Sequence, residues 1–257
     1  MTETAVKKHK LTKPLKALLA GYPRYPFCAG CQHPMTQRAI CEALEELGAI
    51  DKALYIPGVG CGAFLMLDFD VDMIHACHGR APDYATAAKR LHPDMLVFTA
   101  QGDGDCISIG AGPLIGALTR GEKITIIMEN NAEYGMTGGQ MAPTTLQNQV
   151  TTTTPLGRTA DFAGYPVHTA EMVATFRSVA YSARGAYTTP HNYLMTKHYI
   201  KTAFQKQLDN IGLSFVEVLS ACPSNWHLSP LESLKFIEEK MIKEYPLGEF
   251  KNVDKID

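Results

Sequence analysis

Hydrophobic positions along the chain fall into two rhythms. After Pro34, the residues Ile40, Ala43, Leu44 and Leu47 share one face at helical spacing, and Gly48 marks a stop. Ala53-Leu-Tyr-Ile56 is a short continuous apolar run ending in the turn Pro57-Gly-Val-Gly60. A small-residue helix from Tyr84 to Leu91 precedes the strand Met95–Ala100, and a second helix after Gly102-Asp-Gly104 precedes the strand Ile124–Met128. Helical patterns return near Ala170–Ala180 and Met195–Leu208, and Phe215–Leu219 reads as the last strand. Ser229-Pro-Leu-Glu232 has the form of a capping box that opens a terminal amphipathic helix. Continuous apolar strands alternating with helices predict an α/β fold: a parallel sheet with helices on both faces. Between Asn131 and Tyr165 the pattern dissolves into Gly, Thr, Pro, Gln and Asn, a loop long enough to be either functional or disordered. No internal repeat or long linker is visible. The expected organisation is an N-terminal arm (1–26), one domain (27–230) and a C-terminal helix and tail (231–257).

Composition narrows the class. With 257 residues, 46% of them hydrophobic, the chain fills one sizeable α/β core, which excludes extensive disorder. A net charge of −2 without a basic stripe argues against a nucleic-acid binder. The apolar runs are strand-length, far short of the ~20 residues of a membrane span. The polar, lysine-bearing start lacks the apolar core of a secretory signal, so a cytoplasmic location is expected. Seven cysteines in a reducing compartment point to metal or cluster ligation rather than disulfides.

Two constellations carry chemistry. Gly102-Asp-Gly-Asp105 and Asn130-Asn131 close successive strands, with the 25 residues 105–129 between them, room for one helix and one strand. In a parallel βαβ unit both strand ends emerge at the same sheet edge, where ligands of open α/β sheets bind. Asp103 and Asn131 offer hard oxygen ligands suited to Mg²⁺. The glycines allow close backbone approach, and the following helix can offer amides to a diphosphate. The second constellation is Cys28-Ala-Gly-Cys31, with Cys61 and Cys222 directly after predicted strands. Four converging thiolates suit Zn²⁺ or a [4Fe–4S] cluster; unligated core thiols are the other reading. Cys41, Cys77 and Cys106 have no such setting.

The paired Gly-Asp-Gly and Asn-Asn resemble the thiamine diphosphate motif. With the words around it, the chain resembles the β subunit of 2-oxoacid:ferredoxin oxidoreductases from about Tyr25 to Lys251. The words are Cys28-Ala-Gly-Cys-Gln-His33, Gly58-Val-Gly-Cys61, His78-Gly-Arg-Ala81, Gln101-Gly-Asp-Gly-Asp105, Asn131 with Tyr134-Gly-Met-Thr-Gly-Gly-Gln-Met-Ala-Pro-Thr-Thr145, Cys222-Pro-Ser-Asn-Trp226 and Tyr245-Pro-Leu-Gly-Glu-Phe-Lys251. The last two are most similar to the 2-ketoisovalerate and 2-oxoglutarate group.

The resemblance implies a thiamine diphosphate-binding fold and CoA-dependent oxidative decarboxylation of a 2-oxoacid to acyl-CoA and CO₂. Electrons would pass singly through a [4Fe–4S] cluster to ferredoxin. It implies Mg²⁺ on the Asp103 and Asn131 side chains and the Glu133 carbonyl. Gly104, Asp105, Gly135 and Met136 would line the diphosphate. Val59, Gly60, Cys61 and Gly62, with the His78-Gly79-Arg80 turn, would meet the cofactor from neighbouring loops, and Cys28, Cys31, Cys61 and Cys222 would hold the cluster. His78 and Arg80 are the candidate catalytic side chains; for each, a structural role (orienting a loop, an ion pair) is the other reading. The Glu that activates the aminopyrimidine is expected from a separate α subunit. The further expected partners are a γ subunit, a ferredoxin-like δ subunit or domain, and soluble ferredoxin. Ala29 and Gln32 stand where the family commonly has Pro and Gly, which spares the thiolates. Gly62-Ala-Phe64 replaces a basic residue of pyruvate-type relatives and suggests an apolar substrate tail, with a branched-chain 2-oxoacid first. The other readings are a non-redox thiamine diphosphate decarboxylase subunit with a structural metal, and a zinc-stapled, non-catalytic assembly subunit.

Overall fold

The apolar runs become buried strands of one sheet. The computed structural model describes residues 15, 16, 18, 26–67 and 69–256. In it β1 (Ala53–Pro57), β2 (Asp72–Met73), β3 (Leu96–Gly102), β4 (Thr125–Asn130), β5 (Val179–Ala186), β6 (Leu213–Leu219) and β7 (Gly248–Asn252) lie in the order β2-β1-β3-β4-β6-β5-β7. Every neighbouring pair is parallel except β5 with β7. The central strands β1, β4, β5 and β6 are buried along their whole length, because helices cover both faces.

The helices are α1 (His33–Leu47), α2 (Ala81–Leu91), α3 (Ala111–Arg120), α4 (Ala160–Ala163), α5 (Thr169–Ala174), α6 (Pro190–Leu208), α7 (Pro223–Trp226) and α8 (Pro230–Phe236). Ile40 and Leu44 of α1 and Ile200 and Phe204 of α6 pack with Tyr55 and Phe98 on one face. Ala85 of α2, Leu114 and Leu118 of α3 and Val173 of α5 pack with Val97, Ile126 and Phe215 on the other. Local chemistry sets the boundaries. Pro34 opens α1, and Gly48, at φ 62, closes it in the left-handed conformation that glycine adopts without strain. Ser229 and Glu232 form the expected reciprocal capping box.

The strand order reverses between β1 and β3, so a crevice opens beyond their carboxyl ends. The loops after β1, β3, β4 and β6 meet there. No helix among the described residues is long and apolar enough to cross a membrane.

Four expectations change. The helical pattern over 170–180 ends at Ala174, and β5 begins at Val179. This strand of mostly small residues (Val-Ala-Tyr-Ser-Ala-Arg-Gly-Ala) lacks the β-branched run that announces a strand, and its place between β6 and β7 makes it one. Phe215–Leu219 is not the last strand, since β7 adds an antiparallel edge from the region expected to be helix and tail. The segment after Gly102-Asp-Gly104 first makes a π-helical turn over Gly104–Ile109 before α3. The long 131–165 loop is ordered, by backbone hydrogen bonds such as Tyr134 N to Gln140 O at 2.9 Å, Asn148 N to Arg158 O at 2.8 Å and Arg158 N to Gln149 O at 3.0 Å, and by the side chains described below. The expected arm, 1–26, falls outside the described residues except at 15, 16, 18 and 26.

Candidate functional site

The crevice at the strand ends is an open cleft. Val59, Gly60, Cys61 and Gly62 enter it after β1, Asp103, Gly104 and Asp105 after β3, and Asn131, Glu133, Gly135 and Met136 after β4; His78 lines it from the turn before α2. Gly79 and Arg80 do not line it. The Arg80 guanidinium pairs instead with Asp83, at 3.7 Å, on the exposed start of α2.

Oxygens converge on one point of this cleft. One end of the Asn131 carboxamide faces the Glu133 main-chain carbonyl at 2.6 Å and Asp103 Oδ1 at 3.2 Å. With nitrogen at that end, the group donates to both. With oxygen there, a carboxylate, an amide and a carbonyl face one another with no hydrogen between them, a donor set that fits a hard cation such as Mg²⁺. Asp103 is buried, and burial pushes its carboxyl up to about 7, while a hydrogen bond from the Thr144 hydroxyl opposes the shift. Gly104 has no alternative, because a side chain there would enter the Tyr134 ring, whose hydroxyl donates to the Gly104 carbonyl at 3.2 Å.

Asp105 lines the cleft, but its carboxylate is saturated by the protein. It accepts from Gly79 N at 2.7 Å and Gln101 Nε2 at 2.6 Å, and it meets His78 Nδ1. Its side chain therefore fixes the His78-Gly79 turn and orients the imidazole, leaving Nε2 for a bound group.

Cys28, Cys31, Cys61 and Cys222 line a second cavity, together with Phe27, Phe64 and Asn225. None of the seven cysteines is in a disulfide. Burial pushes the thiols of Cys31 and Cys61 up to about 12 and about 11, and raises Cys222 as well. The neighbouring thiols and the Glu129 and Glu133 carboxylates reinforce the shifts. Such thiols ionise only when a metal centre stabilises the thiolate. Among the described residues no three His, Cys, Asp or Glu side chains are gathered tightly enough to hold a single metal ion. The thiols ring a cavity instead.

Further polar side chains stand around the two cavities. His33 lies between Cys31 Sγ, 3.2 Å from its Nδ1, and Glu129 Oε2, 3.4 Å from its Nε2. Burial lowers the imidazole to about 4 and raises Glu129 to about 8, so neither is charged at neutral pH. The signal for Glu129 is an acidic residue ending an apolar strand. Glu133 reaches Cys222 and Asn225 with its side chain, and burial raises it to about 7. Trp226, the only tryptophan, donates from Nε1 to the Asn131 carbonyl at 3.2 Å.

Comparison with known proteins fits this geometry. Residues 62–218 match the thiamine pyrophosphate enzyme, C-terminal TPP binding domain. The chain is 41% identical over 226 residues to ketoisovalerate oxidoreductase subunit VorA of Methanothermobacter thermautotrophicus, covering 88% of this chain and 47% of that one. It is 32% identical over 213 residues to 2-oxoglutarate synthase subunit KorB of Archaeoglobus fulgidus, covering 83% and 75%. The chain thus spans about half the length of the ketoisovalerate relatives it matches. A 2-oxoglutarate:ferredoxin oxidoreductase from Magnetococcus marinus, solved with 2-oxoglutarate, coenzyme A and succinyl-CoA bound, shares the fold. Its TM-score is 0.74 over 94% of this chain and 89% of that chain, at 22% identity. The fold is that of a thiamine pyrophosphate-binding domain. Within that class, the chain belongs to the 2-oxoacid oxidoreductase family, among its thiamine pyrophosphate-binding subunits.

Proposed function

We propose that this chain is the cofactor-binding subunit of a 2-oxoacid:ferredoxin oxidoreductase, which turns a 2-oxoacid and coenzyme A into acyl-CoA and CO₂ and passes two electrons to ferredoxin. The observation that carries the reading is a shared wall: His33, Cys61, Asn131, Gly135 and Met136 line both the cleft and the thiol cavity. An electron carrier held by the thiols would adjoin the cofactor that releases the electrons. Thiamine diphosphate, when bound, supplies the carbanion that adds to the 2-oxo carbon and the sink for the electrons left by loss of CO₂.

Asp103, Asn131 and the Glu133 carbonyl would hold Mg²⁺, and Gly104, Gly135 and Met136 would face the diphosphate. Cys28, Cys31, Cys61 and Cys222 would hold a [4Fe–4S] cluster. A zinc staple on the same four thiols is the other reading; iron and labile sulfide analysis of the purified chain separates the two. His78, oriented by Asp105, is the side chain best placed to meet the cofactor or substrate. Phe64 in the cavity wall and the 41%-identical ketoisovalerate relative support a branched-chain 2-oxoacid as the substrate. The partners are an α subunit carrying the activating Glu, a γ subunit and a ferredoxin-like δ subunit or domain.

The test is an anaerobic assay of the complex purified through this chain. It follows CoA-dependent reduction of a viologen dye with 2-ketoisovalerate, 2-oxoglutarate and pyruvate in parallel. Reduction is expected with 2-ketoisovalerate first, and to be lost in Asp103→Ala and Cys222→Ala. Reduction that survives Cys222→Ala removes the cluster assignment, and a preference for pyruvate removes the substrate.

A further inference from the structure

We infer that Pro143–Thr145 is a brace that presets both arms of the metal site, and that Arg158 and Tyr245 are positioning residues that hold the brace. The inference rests on Asp103, Asn131 and Glu133 being the cation site. Thr144 and Thr145 are fully buried neighbours whose hydroxyls reach in two directions. Thr144 Oγ1 donates to Asp103 Oδ2, on the arm that follows β3. Thr145 Oγ1 donates to the Ala132 carbonyl at 2.6 Å, on the arm that follows β4. Ala132 sits between Asn131 and Glu133 at φ 59, a left-handed conformation that a non-glycine residue keeps only when its surroundings hold it.

The brace is gripped through its own carbonyls. Tyr245, 101 residues away in sequence, donates its hydroxyl to Thr144 O at 2.5 Å. Arg158 donates from Nη1 to Thr145 O at 2.5 Å and Pro143 O at 2.9 Å. Arg158 is 3% exposed and forms no ion pair among the described residues. It spends its guanidinium on main-chain carbonyls, the others being those of Ala142, Ala163, Gly164 and Tyr165. A buried charge without a counter-ion is costly, so the carbonyls must be held tightly to compensate it. Three consecutive carbonyls are thus fixed by two distant side chains, and the hydroxyls between them fix the two arms of the cation site. Outer contacts of this kind orient metal ligands and set affinity.

Equilibrium dialysis of thiamine diphosphate over a Mg²⁺ series tests this on the full chain, purified with any subunits it retains. Tyr245→Phe and Thr144→Val each delete one hydroxyl, and Arg158→Lys keeps the charge but loses the planar fork. A hydrogen bond to a charged or buried acceptor corresponds to about tenfold in a binding constant, so each variant should need about tenfold more Mg²⁺ for half-saturation. Thr144→Ser, which keeps the hydroxyl, should stay near wild type. Both hydroxyl deletions should lower the thermal midpoint of the unliganded chain modestly, since these bonds exist without ligand; Tyr181→Phe, which removes a buried hydroxyl bonded to Glu249 instead of to the brace, should lower it with no change in the Mg²⁺ requirement. An unchanged Mg²⁺ requirement in all three variants overturns the inference. So does an equal rise in the Mg²⁺ requirement of Tyr181→Phe, which is the mark of a merely structural role. If the wild-type chain takes up no thiamine diphosphate at any Mg²⁺ concentration, the cation-site reading itself falls.

Discussion

Asp103, Glu129 and Glu133 are three carboxyl groups lifted by the same cause, burial, to about 7, about 8 and about 7. A carboxyl whose pKa is higher in the folded chain than in the unfolded one, where it is about 4, holds its proton more tightly when folded. It favours the fold at low pH. That contribution is lost as pH rises, up through about 7 for Asp103 and Glu133 and about 8 for Glu129. The unliganded chain should therefore resist urea better at pH 5 than at pH 8, and Glu129→Gln should narrow the difference. Mg²⁺ with thiamine diphosphate should restore stability at pH 8, because the cation takes the carboxylate form. Urea midpoints that do not differ between the two pH values would mean that these groups titrate normally. At this scale Asp103 and Asn131 are legible in sequence, because each follows its own strand at a spacing that only a βαβ unit satisfies. Thr144, Arg158 and Tyr245 are not, because their partners lie 41, 13 and 101 residues away and local patterning carries no sign of them.

Arg184 shows what one side chain does for several elements. It is fully buried on β5 and pairs with Glu217 of β6 at 2.9 Å and with Glu171 of α5. It donates to the Pro246 carbonyl at 3.0 Å and lies over the rings of Tyr245 and Phe250. Glu217 in turn accepts from Asn130 Nδ2 at 2.7 Å, beside the candidate cation site. Arg184→Met leaves the Glu217 carboxylate buried without its cation, and should cost about 3–5 kcal/mol of folding stability. Urea denaturation measures it, and a loss below about 1 kcal/mol would show that the pair is dispensable. The same network explains the Tyr245-Pro-Leu-Gly-Glu-Phe word. It seats Tyr245 on the brace and lays β7 against β5, where Tyr181 donates to Glu249 at 2.6 Å. The ends of α1 and the start of α8 were legible because caps and prolines act within four residues. β5 and β7 were not, because a strand of small residues and an edge strand of five are made by their neighbours.

At the scale of the molecule, cofactor cleft and thiol cavity adjoin at one edge of the sheet. The cleft opens to solvent, and the acidic residues that line it among the described residues, Asp103, Asp105 and Glu133, are engaged by Thr144, by the His78 turn and by Cys222 with Asn225. The chain by itself should show no CoA-dependent dye reduction above background, and mixing with its α partner should bring turnover up by at least two orders of magnitude, as general acid–base catalysis is worth about 10²–10⁴-fold. Full turnover by the isolated chain would defeat the division of labour.

The sequence alone determined the α/β class, the strand ends that carry Asp103, Asn131, Cys61 and Cys222, and the family. The class and the strand ends rest on periodicity, glycine turns and short spacings, which act over a few residues or along one βαβ unit, and the family rests on the resemblance of several words in the same order. The tertiary structure alone decided that the cleft and the thiol cavity share a wall, that Asp105 serves the His78 turn, that Arg80 stands apart, and that the carbonyls of Thr144 and Thr145 are held from residues 158 and 245. Those relations are hydrogen bonds and packing between segments far apart in the chain. Their geometry exists only once the sheet has brought the strand ends together.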